Sequence, residues 1–317
     1  MNGVAPAEYR RLAGVHEVGP YDTVYVAARE EDAAVSCAGR LLWERGRGLR
    51  ALIVTVFDAA DGPSLDADHL ALGLPGPGNR DAQYEPWRPS TVGPEDLRSI
   101  ARATALLEEV LRRAKPRHLY LPLGVGGLWD RGIAHEAALA TVHPAEGRDV
   151  FLYEERPEAL VSGSVRIRLG EMGARLPPAA SRVVGEGGLT RFLLRSHSVP
   201  RLRGGVKGIG RRLRYTRLAA QRWLGARAWR PQKALGPRLQ PVVHVADPSR
   251  VEATRGLVRA VAARFGSKRA ERVLKFATDQ ARRLGGRGHV ERYWLLLPSR
   301  EDEARAVVPP AWTAPVR

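Results

Sequence analysis

Two short charged turns hold the residues of this chain best placed to do chemistry. The first, Arg29-Glu30-Glu31-Asp32, follows the apolar run DTVYVAA and leads into the small-residue segment AAVSCAG. The second, GVGGLWDR at 124–131, follows the apolar run HLYLPL and ends in Leu128, Trp129, Asp130 and Arg131. A strand, a tight turn and a helix that opens on small residues is how α/β proteins build nucleotide and metal sites. Yet neither turn contains a histidine, and each sets an arginine beside a carboxylate. Arginine stays protonated and offers donors only, with no lone pair for a metal. The chemistry open to such turns is ion pairing and the capture of a polar or anionic group. GVGG also resembles a phosphate cradle, but it lacks the Lys and Ser/Thr that a P-loop requires.

The elements that must position these turns alternate. Residues 22–28 read as a strand. Residues 33–47 read as a helix with Asp32 at its N-cap. The β-branched run ALIVTVF at 51–57 reads as a strand covered on both faces. Residues 58–93 are polar and rich in Gly and Pro, and read as a long loop. Residues 94–114 carry helical spacing with acids in the first turn. Residues 118–123 are a third strand, 132–142 a helix and 150–154 a fourth strand. This order predicts an α/β, doubly wound, mainly parallel sheet, with both charged turns at the edge where the strands end. Beyond residue 160, 161–169 reads as a strand, 250–284 as helix-rich, 289–297 as a closing strand and 298–317 as a tail. The expected organisation is an α/β unit over 1–186, a basic segment over 187–246 that is an insertion or a cover, and a return to the first unit over 247–317.

The chain has 317 residues, 44% of them hydrophobic, enough for a large core. One cysteine, Cys37, excludes an intramolecular disulfide and a Cys-rich zinc site. The chain has no run of about 18 apolar residues and no apolar leader, so a cytoplasmic protein is expected, with peripheral membrane attachment as the alternative. Net charge is +17, and from Gly187 to Ala246 there are 14 Lys and Arg and no acid. Arg211, Arg212, Arg214, Arg217 and Arg222 form its densest patch. An Arg-rich composition can reflect a GC-rich genome alone. As a surface, it would meet an anionic membrane or an acidic protein partner. Ile209, Leu213, Thr216, Ala220 and Trp223 fall near one helical face, which suits a cover helix packed on the sheet or a helix lying on a membrane. No nucleic-acid motif accompanies the arginines, and nucleic acid is not an expected partner.

The strings DTVYVAAREEDAAVSCAG and LPLGVGGLWDRGIAHEAAL resemble the two motifs of the PIG-L/LmbE family of zinc-dependent N-deacetylases. There the first strand ends in P-H-P-D-D before an L-S-C-G-G helix start, and one bacterial branch carries P-L-G-V-G-G-H-V-D-H. IVTVF and HVERYW resemble that branch's second and closing strands. The resemblance implies that fold. It also implies zinc held by two histidines and an aspartate, an aspartate base that activates the metal-bound water, and an N-acetylated sugar as substrate. Placed on this chain, the histidines fall on Arg29 and Arg131, the metal-binding aspartate on Asp32 and the base on Glu31. The second motif's leading histidine falls on Leu128, and Asp130 is kept. The family's R-R-x-E-D helix has no counterpart.

No zinc or other cofactor is therefore expected. The arginines are expected to occupy the metal position and pair with Asp32 and Asp130, since a buried unpaired carboxylate costs several kcal/mol. The chain then reads as a degenerate deacetylase, a pseudoenzyme that binds a sugar or anionic small molecule at the mouth of the site. The alternative is an active amide hydrolase with a reorganised metal site, using Glu31 as base and a histidine such as His118, His135 or His143. These histidines read as ordinary surface or half-buried residues. His244 and His289 carry no ligand spacing. Cys37 reads as a packing residue.

Overall fold

The computed structural model describes residues 9–57, 67–75, 94–126, 128–142, 147–156, 158–161, 163–178, 180, 217, 220–246, 248–263, 271, 273–275, 277–279, 281 and 288–298. Eight strands form one sheet in the order β1-β4-β3-β2-β5-β6-β8-β7. They are β1 (Arg11–Leu12), β2 (Thr23–Ala27), β3 (Ala51–Phe57), β4 (Asp68–Leu74), β5 (His118–Pro122), β6 (Asp149–Tyr153), β7 (Arg238–Val245) and β8 (Val290–Leu297). β1 to β6 pair in parallel, while β8 runs antiparallel to β6 and β7. From β2 the chain winds outward one way through β3 and β4, and the other way through β5 and β6. The direction of winding therefore reverses between β2 and β5, where an open sheet leaves a crevice beyond its strand ends.

Side-chain alternation splits the core into two layers. Val24, Val26, Leu52, Val54, Leu119 and Leu121 face one side, with Leu107, Val110, Ala134 and Ala138 of α3 (Pro94–Ala114) and α4 (Trp129–Ala140). Tyr25, Ala27, Ile53, Tyr120, Tyr153 and Tyr293 face the other. There they meet α1 (Glu30–Ser36), α2 (Ala38–Arg45) and the later helix Val251–Ala263. Covering both faces is what buries β3 at every position and leaves Thr55 as its one polar residue. Ala33, Ala34, Cys37 and Ala38 are fully buried, and their small side chains let α1 and α2 lie close to the sheet. Cys37 is thus a packing residue, and burial pushes its thiol well up.

Several expectations are corrected. The first helix begins at Glu30 with Arg29 as its N-cap, so Asp32 lies inside the first turn, and the helix breaks at Cys37 into α1 and α2. The long loop over 58–93 contains a parallel strand, β4, while 58–66 and 76–93 lie outside the described residues. Residues 161–169, read as a strand, contain instead the start of helix α5 (Ser164–Glu171). Its V-R-I-R-L alternation misled because α5 is packed from two sides: Arg168 Nε donates to the Leu123 carbonyl and Arg166 Nε to that of Ala226. The end of the segment 187–246 is strand β7, at the edge of the sheet. Pro241 interrupts its apolar pattern, which an edge strand tolerates because its outer N–H has no ladder partner.

Candidate binding site

The site forms where β2, β5 and β6 end. Arg29 caps α1, and Glu30, Glu31 and Asp32 make its first turn, where acids oppose the helix dipole favourably. Leu128 caps α4, which opens with Trp129, Asp130 and Arg131. The two turns meet across 99 residues of sequence: Arg131 Nη2 lies 2.5 Å from Asp32 Oδ1. The side chains of Arg131 and Asp32 are 4% and 3% exposed. Arg131 Nη1 binds the carboxylate of Glu158. Arg29 Nε lies 3.0 Å from Asp130 Oδ2, and its side chain remains 43% exposed, at the mouth. Asp130 turns its other oxygen to the backbone N–H of Arg131, at 2.9 Å.

Burial raises the carboxyl of Asp32 above its ordinary range, and the Arg131 guanidinium opposes the rise. Half-buried Glu31 is raised by burial and by Asp32 beside it. Asp32 Oδ2 is buried and meets no hydrogen-bond partner among the described residues. Trp129 packs on Phe57 with ring centroids 5.4 Å apart, and its indole N–H donates to Asp96 at 2.6 Å. Trp129 is therefore held against the core, and half-buried Leu128 serves as the helix cap.

Glu155 and Glu158 were not foreseen from the sequence. Their signal was the string EERPE directly after β6, at the same sheet edge as the two turns. Glu155 fills the cradle of the GVGG turn, accepting the N–H of Gly124 at 2.6 Å and of Val125 at 3.1 Å. Gly124 and Gly126 hold φ of 77° and 97°, which glycine adopts at no steric cost and which aims the N–H groups inward. The loop that resembled a phosphate cradle is occupied by the protein's own acid.

Burial lifts the Glu155 carboxyl from 4.5 to about 7, against the pull of Arg131 and the Val125 N–H. A carboxyl raised on folding adds stability below its unfolded pKa and loses it as pH rises through the folded one. The margin of wild type over Glu155→Gln is therefore expected to shrink by about 3 kcal/mol between pH 4.5 and 8. Urea unfolding at several pH values measures it, and a margin independent of pH would refute it.

Among the described residues no histidine joins the ion pairs of the site. His135 is buried in the core, its Nδ1 donating to the Pro122 carbonyl at 2.7 Å. It is therefore a core residue rather than a surface or half-buried one. Burial and the Arg168 charge lower it to about 3. His118, buried too rather than surface or half-buried, lies 3.3 Å from Asp149 at the opposite, N-terminal ends of β5 and β6. His143 lies outside the described residues, as do Arg211, Arg212 and Arg214 of the basic patch. Arg217 is exposed, and Arg222 pairs with Glu171 of α5.

Zinc does not fit these residues. Two of the three positions that the resemblance gives to the metal ligands carry guanidinium groups, and the Asp32 oxygen that is not orphaned already carries Arg131. A divalent ion at Asp32 Oδ2 would stand beside a buried cation of its own sign. Among the described residues no group of three or more His, Cys, Asp or Glu is placed to hold a metal ion.

No protein-family model and no curated protein matches the sequence. Solved structures do match. The A40926 pseudoaglycone deacetylase Dbv21 aligns with a TM-score of 0.50 and 11% identity, over 87% of this chain and 97% of that one. Teicoplanin deacetylase Orf2 in its zinc-inhibited form aligns with a TM-score of 0.53 and 13% identity, over 88% and 99%. A deacetylase–teicoplanin complex aligns with a TM-score of 0.52 and 12% identity, over 87% and 98%. The fold expected from the two motifs is thus the fold observed, a mostly parallel α/β sheet of the deacetylase type.

Proposed function

We propose that this chain is a deacetylase-fold protein whose metal centre has been replaced by an arginine–carboxylate network, and that it serves as a binding or accessory protein rather than a zinc hydrolase. The observation that carries this reading is the buried guanidinium of Arg131, shared between Asp32 and Glu158. It supplies the positive charge that a metal would supply, but it polarises no water and opens no coordination position. Glu31 remains a base by chemistry, with no activated nucleophile to serve.

The ligand we infer is a sugar or a small anionic molecule at the mouth. The half-exposed Arg29 can donate to its oxygens, and the orphaned Asp32 Oδ2 can accept from a hydroxyl or amine. One neighbour is a complex with teicoplanin and another is named for deacetylating the A40926 pseudoaglycone, which makes a glycosylated small molecule the first class to test.

Elemental analysis of the purified, untagged chain tests the reading. The expected result is no stoichiometric zinc after zinc is supplied and the excess removed. Stoichiometric zinc that disappears in Asp32→Ala would overturn it and restore the active-hydrolase alternative.

A further inference from the structure

A second surface stands apart from the buried ion pairs. Residues 220–228 are helical, and this helix has two distinct faces. The inner face packs on α5. Ala226 and Trp229 lie against Gly170, the Trp223 ring borders Gly163, and Trp229 Nε1 donates to the Ala174 carbonyl at 3.1 Å. Trp223 thus packs inward as in a cover helix, while Ile209, Leu213 and Thr216 of the expected stripe lie outside the described residues.

The outer face is different. Arg227 is exposed on it, and Leu224, one turn earlier, is 55% exposed; Arg217, ahead of residues 220–228, is exposed as well. The turn that follows adds exposed Arg230 and Lys233, then Leu235 at 96% exposure. These residues belong to the 60-residue stretch that carries 14 Lys and Arg and no acid. Cations alone would suit any polyanion. Two bare leucines among them do not, because a nucleic acid or a polyacid offers no apolar phase to receive them. A bilayer of anionic lipid offers both, with headgroups for the cations and the acyl boundary for the leucines. Long arginine stems let the charge stay at headgroup level while the helix settles inward.

We propose that this face docks the protein on an anionic lipid surface. Among the described residues no helix is long and apolar enough to cross a membrane, so attachment would be peripheral. The docking helix rests on α5, and α5 reaches the end of β5 through Arg168 and the Leu123 carbonyl at 2.8 Å. The lipid-facing surface therefore adjoins the side of the molecule that carries the candidate site, although the two ideas stand or fall separately.

The test is co-sedimentation of the full chain with two kinds of vesicle at about 0.15 M salt. One is phosphatidylcholine alone, and the other contains about 30 mol % phosphatidylglycerol. Binding is expected to the anionic vesicles only. At about fivefold per cation, R227A/R230A/K233A should bind about a hundredfold more weakly. L224A/L235A, which keeps every charge, should lose at least about tenfold. All five side chains are exposed, so unchanged melting temperatures would separate lost docking from lost folding. Equal binding to both vesicles, binding to neither, or unaltered binding by both variants would overturn the proposal. Binding to duplex DNA or polyglutamate at unaltered strength in L224A/L235A, without vesicle binding, would replace lipid by a soluble polyanion.

Discussion

Replacing Arg131 by methionine is expected to destabilise the protein by about 3–5 kcal/mol. Domains of ordinary stability hold about 5–15 kcal/mol in all, so much of the folded state's margin would go. Methionine keeps the stem of the side chain as far as Nε, so most of the cost is electrostatic and the smaller part is the space the guanidinium leaves. Asp32 and Glu158 would lose their shared cation in a site already holding Asp130 and Glu155 nearby. The effect should depend on pH. Burial already raises the Asp32 carboxyl, and losing Arg131 removes the main influence holding it down. In the variant its folded pKa stands further above its unfolded one, so stability is retained at low pH and lost as pH rises. The deficit should therefore be largest at neutral pH and shrink toward pH 4. Arg131→Lys should fall between, because one ammonium cannot bridge two carboxylates as a guanidinium fork does. Adding Asp32→Asn and Glu158→Gln to Arg131→Met should recover most of the loss, because no charge is then left unpaired. Urea unfolding decides. A deficit under about 1 kcal/mol would mean that the network is a surface feature and not a substitute for a metal.

The sequence makes this network half legible. The meeting of the two turns could be anticipated because parallel strands fix where their C-terminal ends lie, and Arg29, Asp32, Asp130 and Arg131 all sit on such ends. Glu155 and Glu158 also follow a strand, but no motif residue flagged them. A third turn became part of the site only once β6 was seen beside β5. β4 escaped notice because its one buried polar residue, His69, sits in a stretch rich in Gly and Asp; its ring nitrogen lies 3.1 Å from Thr55 Oγ1. α5 escaped because contact on two sides erases the helical period. β7 escaped because a proline lowers the reading of any strand except one at an edge, and edge position is a property of the sheet rather than of the segment. In each case local pattern was overridden by a neighbour distant in the chain.

Removing the carboxylate of Glu291 should cost about as much as removing Arg131, at a place that no functional motif marks. α2 restarts after the break at Cys37 with its first N–H groups facing inward, and α2 has no side-chain cap of its own. Glu291 of β8, 252 residues along, supplies the cap: its oxygens accept from Gly39 N–H at 2.6 Å and Arg40 N–H at 3.0 Å. Tyr293 Oη donates to it at 2.8 Å, and His289 Nε2 lies at 3.1 Å. Burial would raise this carboxyl, but His289 overcomes that and, with His244 and Arg156, brings it from 4.5 to about 2. The Glu291→Ala variant leaves two buried N–H groups without an acceptor, at about 1–3 kcal/mol each, and should lose about 4 kcal/mol in all. Glu291→Gln keeps one acceptor and should lose less.

The sign with pH is opposite to that of Glu155. A carboxyl lowered on folding contributes fully above its unfolded pKa, and loses that contribution as pH falls through the folded one. Wild type and Glu291→Gln should therefore converge as pH falls from 4.5 to about 2. Amide exchange gives a second measurement, with Gly39 and Arg40 expected to exchange faster in Glu291→Ala than the core amides of β2. Unchanged exchange there, with a gap independent of pH, would show that the cap is formed by something other than Glu291. If the cap is real, the closing strand secures the helix pair whose first turn carries Asp32. The buried ion pair would then rest on a residue near the far end of the chain.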